Sequence, residues 1–199
     1  MANENRRFAV KPVERRTFLR YSLIGAVSAG LGGFSLASLG FLYPRPGDEL
    51  FGEVPLGNAQ EIADQIEADR TPMRVAEAGI TVQVWDPSNG AAMRLYGEDH
   101  AILNDNVGLM AINTSSCPHL GCGVPWCQTS QWFECPCHGS RYNRYGEWTG
   151  GPAPRGMDRF RSTLTDGQVV VNLSEFLTGP ARTANALEQS PEGPNCVDA

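Results

Sequence analysis

Cys117-Pro118-His119-Leu120-Gly121-Cys122 and, thirteen residues after its last cysteine, Cys135-Pro136-Cys137-His138-Gly139-Ser140 hold four of the chain's six cysteines and two of its three histidines. Cys117 with His119 and Cys135 with His138 form two thiol–imidazole pairs, which leaves Cys122 and Cys137 as a matched remainder. Cysteine and histidine donors at such spacing point first to a metal. A structural zinc would close a tetrahedron with four of the six donors. That gives no role to the neighbouring Leu120, Ser140, Tyr142 and the Gly151-Pro-Ala-Pro154 loop, and a pure disulfide scaffold gives none to the histidines.

Around this stretch, 199 residues suffice for one well-buried domain with extensions. Charge is unevenly spread. In the first twenty residues six basic side chains face Glu4 and Glu14, a net +4; the whole chain carries −6, so the remainder carries −10. An acidic body with no basic face excludes nucleic acid as a partner. A basic start before an uncharged segment is a topology signal.

Residues 1–20 read as a cytoplasmic tail, and Arg15-Arg-Thr-Phe-Leu19 within it resembles a twin-arginine export signal, the route for proteins that cross already folded. Residues 21–43, from Tyr21 to Tyr43, carry no charge and suffice for a transmembrane helix, which needs about 20 residues. No small-residue cleavage site closes the span, so it reads as a retained anchor. Gly25, Ala29, Gly33 and Ala37 recur every four residues, either as a helix-packing stripe or as plain composition. Pro44-Arg-Pro-Gly-Asp48 reads as a linker.

The soluble part, residues 49–176, opens with a short amphipathic helix over Ala59–Ala68, with Ile62 and Ile66 on one face. Gly79–Trp85 alternates as a strand before an Asp86–Gly90 turn. Ala101–Leu103 and Val107–Ile112 make a hairpin that feeds into Cys117, and Trp132-Phe133 leads as a strand into Cys135. Phe160–Leu164 and Val169–Asn172 flank an Asp166-Gly167 hairpin turn. Short strands with turn residues between them imply an all-β antiparallel sandwich or barrel. A metal-binding subdomain, about 114–156, is inserted in it. Residues 177–199 are polar and rich in Pro and Gly, and read as a mobile tail. His100, beside Glu98 and Asp99, reads as a surface histidine. Cys127 and Cys196 are left over, and their pairing is open.

The two hexapeptides, the Ser140-Arg-Tyr142 that closes the second, and the Gly151-Pro-Ala-Pro154 loop resemble the Rieske iron–sulfur subunit of cytochrome bc and cytochrome b/f complexes, with motif-level similarity over about residues 107–160. The resemblance implies a Rieske-type 2Fe–2S cluster with Cys117 and Cys135 on one iron and His119 and His138 on the other. It implies a disulfide between Cys122 and Cys137, Leu120 over the cluster, and hydroxyl donors to cluster sulfur at Ser140 and Tyr142. It further implies that His119 and His138 meet quinol, and that the partners are a cytochrome b and a cytochrome c/f-type subunit in a dimeric complex. The setting would be a bacterial plasma membrane, crossed once, with the head on the outer side and a hinge at 44–48. The activity implied is that of the iron–sulfur subunit of a quinol–cytochrome c or plastocyanin oxidoreductase. The alternatives are the Rieske subunit of a small-molecule oxidase such as arsenite oxidase, or a Rieske ferredoxin, which the anchor and the spare cysteines oppose.

Overall fold

The computed structural model describes residues 13–42 and 52–197, in two units that divide after Glu49. The first holds one helix, α1 (Arg15–Leu42), which buries none of its residues and whose mean hydropathy reaches 1.5 over its most apolar window. At 1.5 Å per residue its 28 residues extend about 42 Å, more than the hydrocarbon core of a bilayer requires. The helix starts six residues before the expected span and takes Arg15, Arg16 and Arg20 into its first turns. The expected linker at 44–48 and the first twelve residues lie outside the described residues.

The second unit opens with β1 (Glu53–Asn58) and α2 (Ala59–Asp69). The Asn58 side chain caps α2 by accepting from the backbone N–H of Gln60 (2.9 Å) and Glu61 (3.1 Å), and α2 buries Ile62 and Ile66 as its spacing requires. β2 (Met73–Val75) and β3 (Ile80–Trp85) follow, then α3 (Gly90–Tyr96), β4 (Ala101–Asn104) and β5 (Val107–Asn113). Four short strands come next: β6 (Trp126–Cys127), β7 (Trp132–Glu134), β8 (Arg141–Tyr142) and β9 (Trp148–Gly150). The chain then returns through β10 (Arg159–Thr165) and β11 (Gln168–Leu177). All pairings are antiparallel. They form a seven-stranded sheet, ordered β1-β11-β10-β5-β3-β2 with β4 also on β5, and a four-stranded sheet β6-β7-β8-β9.

β5 is the strand on which both cores meet. Leu109 and Ala111 face the core under α2 with Ile62, Ile66, Ile80, Val82, Val169 and Val171. Met110 and Ile112 face the other core, with Trp85, Tyr96, Cys117, Phe133, Cys135, Tyr142 and Met157. This is the two-residue alternation of a strand covered on both sides. Its end runs straight into Thr114 and the first cysteine loop. The β10–β11 hairpin closes as expected: Asp166 (φ 51°) and Gly167 (φ 75°) are both left-handed, the geometry of a two-residue turn matched to strand twist.

The Asp86–Gly90 turn forms, and beyond it lies a helix that was not expected: Asn89 accepts from the N–H of Ala91 (2.9 Å) and Ala92 (3.2 Å) and so starts α3. Two expectations need correction. The C-terminal segment is not a loose tail over residues 178–197. Ala186 and Leu187 pack against the core that holds Cys117, and Cys196 forms a disulfide with Cys127. His100 is buried rather than at the surface, with 5% of its area exposed. It packs at the start of β4 near Tyr96, ring centroids 6.4 Å apart, because Ser162 hydrogen-bonds the backbone on either side of it.

Burial, then the nearby Arg159 and Arg161 guanidinium groups, hold the His100 imidazole well below its ordinary value of 6.5. The unfolded chain therefore takes up this proton first, and stability present above pH 6.5 is lost as pH falls below it. In urea titrations of the full chain from pH 7.5 down to 5, His100→Gln is expected to show a shallower loss of stability than the wild type. Parallel curves would show that His100 does not contribute to the acid response.

Candidate metal centre

The two cysteine hexapeptides fold alike. In the first, Cys117 N–H donates to Cys122 O (2.7 Å) and Gly121 N–H to Cys117 O (2.9 Å). In the second, Cys135 N–H donates to Ser140 O (2.8 Å) and Gly139 N–H to Cys135 O (3.1 Å). Each loop thus closes between its first and sixth residues and turns back at its fifth. That fifth residue is left-handed, at φ 82° for Gly121 and φ 70° for Gly139, which is why glycine stands there in both. The shared Cys-Pro-x-x-Gly pattern was available in the sequence as a sign of two equivalent loops.

A disulfide joins Cys122 to Cys137 with Cα atoms 6.6 Å apart, and with Cys127–Cys196 it accounts for four of the six cysteines. Cys117 and Cys135 remain as free, buried thiols. The sulfurs of Cys122, Cys135 and Cys137 lie within 4.8 Å of one another, as do the donor atoms of Cys127, Glu134 and Cys196. In each group two sulfurs are already bonded together, so neither is a metal site by itself. His119 is half-buried and His138 exposed; their rings meet edge to face with centroids 4.9 Å apart. Leu120, between the loops' outer groups, is 71% exposed. The arrangement is graded in depth, with thiols inside and imidazoles and an apolar side chain at the tip.

Hydroxyls and a third loop complete the setting. Tyr142, wholly buried on β8, has its Oη 3.1 Å from Cys117 Sγ. Burial, followed by the Cys117 thiol, pushes its phenol far above the ordinary range, so the group stays protonated and can donate to a thiolate. Ser140 Oγ accepts from Ala153 N–H at 3.1 Å, which leaves its own proton free to donate. The Gly151-Pro-Ala-Pro154 loop therefore lies against the second cysteine loop. Gly151 sits at φ 84°, and a Cβ there would come 2.5 Å from Ser140 Cα and 2.6 Å from Gly139 O. Trp148 Nε1 (3.2 Å) and Arg182 Nη2 (3.0 Å) both donate to Gly151 O, a restraint that the sequence did not signal.

The donor set fits a Rieske-type 2Fe–2S cluster. Burial pushes the Cys135 thiol up, backbone N–H groups of Cys137 and His138 oppose this, and the Cys117 thiol adds to the rise. A buried thiol that resists ionising is stabilised as the thiolate by a bound cation. Cys117, Cys135, His119 and His138 are the four side chains here that could hold it.

Alkylation gives a direct check on this cysteine accounting. Metal-free chain unfolded without reductant is expected to take up two alkyl groups, on Cys117 and Cys135, and six after reduction. Readily labelled Cys122 or Cys137 in the unreduced sample would show that the bridge between the loops does not form.

The model of the Rieske 2Fe-2S domain matches residues 74–162. The cytochrome b6-f complex iron-sulfur subunit of Synechococcus sp. (strain JA-3-3Ab) is 34% identical over 168 residues, covering 82% of this chain and 88% of that one. Subunit 2 of the same name from Synechocystis sp. is 30% identical over 166 residues, covering 81% and 85%. The corresponding subunit of Synechococcus elongatus is 31% identical over 166 residues, again 81% and 85%. With relatives this similar along most of their length, and with both cysteine loops inside the matched domain, the chain belongs to the Rieske 2Fe–2S protein family.

Proposed function

We propose that this chain is the electron-transfer subunit of a membrane quinol–cytochrome c or plastocyanin reductase. In this reading Cys117 and Cys135 bind one iron of the cluster and His119 and His138 the other. The observation that carries it is the depth grading of the site: both thiols are buried, while both imidazoles and Leu120 stand at the tip. When bound, the cluster supplies one-electron chemistry at the roughly −150 to +300 mV typical of Rieske centres. The names of the relatives, all subunits of cytochrome b6-f complexes, support this reading over that of an arsenite-oxidase-type subunit.

The chain's own residues have distinct tasks. Tyr142 Oη, 3.1 Å from Cys117 Sγ, would donate to that sulfur as a thiolate, and Ser140, whose oxygen accepts from Ala153 N–H, keeps a proton to donate to cluster sulfur. Both donors favour the form with more negative charge, and so favour reduction. At the exposed side, His119 and His138 would offer ring nitrogens to quinol, one of them accepting the hydrogen bond and then the proton of its hydroxyl. Leu120 supplies an apolar contact that excludes water there. The partners in this reading are a cytochrome b that holds the quinol and a cytochrome c/f-type acceptor, in a dimeric complex. α1 anchors the subunit once in a bacterial plasma membrane, with Arg15, Arg16 and Arg20 on the cytoplasmic side by the positive-inside rule.

Export by the twin-arginine route fits a protein that receives its cofactor before it crosses. Arg15→Lys with Arg16→Lys is expected to leave a folded, cluster-bearing precursor in the cytoplasm; normal export of this double variant would exclude the route.

Electron paramagnetic resonance tests the centre itself. His138→Ala is expected to abolish the Rieske signal, and its survival, or stoichiometric zinc without iron in the wild type, would overturn the ligand assignment. Tyr142→Phe should keep the signal and lower the potential by about 40–90 mV. That range corresponds to a reduced-minus-oxidised difference of roughly 1–2 kcal/mol in one charge-assisted hydrogen bond. An unchanged potential would show that the hydroxyl does not donate to cluster sulfur.

A further inference from the structure

Residues 178–197 form a strap that none of the roles above requires. It leaves β11, and Arg182 stacks over Trp148 at 3.9 Å while holding Gly151 O. The N–H groups of Ala186 (3.0 Å) and Leu187 (3.4 Å) then donate to the buried Glu147 carboxylate. Glu192 pairs with Arg70 and Arg144. The Cys127–Cys196 disulfide pins the far end to β6.

What the pinned end meets is a second buried acid. Glu134, the last residue of β7 and the one before Cys135, is 1% exposed. Its Oε2 accepts from the backbone N–H of Cys196 (2.7 Å) and of Val197 (2.8 Å). Its Oε1 accepts from Ser130 Oγ at 2.6 Å and, in the amide orientation that satisfies both ends, from the Asn195 side chain at 3.0 Å. All of these partners are donors, the surroundings that a buried carboxyl group needs. The two strap amides are therefore half of the donors that hold Glu134 in place next to Cys135. Both of its oxygens are taken by these donors, so Glu134 is no ligand.

We propose that Glu134 is a positioning residue for the iron–sulfur centre and that the disulfide-pinned strap is its counter-group. The amides of Cys196 and Val197 fix the carboxylate, and with it the strand that presents Cys135, and they offset its charge. This inference rests on the Rieske reading above. Its electrostatic consequence has a definite sign. A negative charge near the centre opposes the arrival of an electron, so removing the charge raises the potential. Removing only the donors exposes the charge and lowers it.

The test is a redox titration of the cluster signal in the full-length chain in detergent, for the wild type, Glu134→Gln, Cys196→Ser and the double variant. Glu134→Gln keeps both strap-amide bonds on its carbonyl oxygen and the Ser130 contact, because that hydroxyl can rotate to accept; only the Asn195 contact is lost. It is expected to raise the reduced-to-oxidised ratio at a fixed applied potential about tenfold, or about 59 mV for one electron, as a unit charge acting across one residue would. Cys196→Ser is expected to lower that ratio, and the double variant to titrate with Glu134→Gln alone, because the pinned end of the strap meets the strand before Cys135 through the carboxylate. Val197→Pro removes one amide donor and keeps the bridge, so it should give a smaller lowering even where Cys196→Ser fails to fold. Coincident potentials in a wild type, Glu134→Gln and Val197→Pro that all carry the Rieske signal would overturn the proposal and leave the strap as packing alone. A wild type with no Rieske signal would instead overturn the family reading beneath it.

Discussion

The structure depends on a conflict between burial and reach. The Cys117 and Cys135 thiols are buried, while the imidazoles of His119 and His138 stand nearer the surface. Each of the two loops meets both demands. Each loop is closed by the same reciprocal pair of backbone hydrogen bonds and turned by a left-handed glycine. Each sends its first cysteine inward and its histidine outward. The Cys122–Cys137 bridge then joins the exposed shoulders of the two loops, where backbone hydrogen bonds alone would be open to solvent.

The rest of the fold serves that pair. β5 carries the first loop directly from the junction of the two cores, and β7 carries the second. The third loop can lie against Ser140 only because Gly151 has no side chain. The close approach of the three segments is thus set by backbone rather than by adjustable side chains. Sites built from backbone contacts leave little freedom for the donors they carry, a requirement for a centre whose charge changes by one electron.

Much of this was legible in the sequence because the signals were local. The cysteine hexapeptides, the Asp166-Gly167 turn, and Ile62 and Ile66 on α2 each announce their structure within a few residues. What was not legible depends on distant partners. His100 follows two acidic residues, Glu98 and Asp99, that suggest exposure, and only the return of β10 with Arg159 and Ser162 buries it. The strap has the composition of a loose end, yet its amides are claimed by Glu134 and Glu147, and no local pattern marks a glutamate as buried. The Cys127–Cys196 pairing could not be deduced by counting cysteines. α3 was missed although Asn89 is a sound helix cap, because the Asp-Pro-Ser-Asn-Gly run also satisfies a turn.

The Cys127–Cys196 bridge spans 69 residues, and by loop entropy alone a cross-link of that length is worth about 4 kcal/mol against the unfolded chain. Its second effect is on how the head opens. The last residues of a domain are ordinarily the first to fray, at almost no cost, and fraying is how solvent and proteases first enter. Here the end of the chain is sewn to the sheet that leads into the second cysteine loop. Local opening from that end is coupled to opening of the sheet itself, and that loop gains the kinetic protection of the core although it stands near the surface.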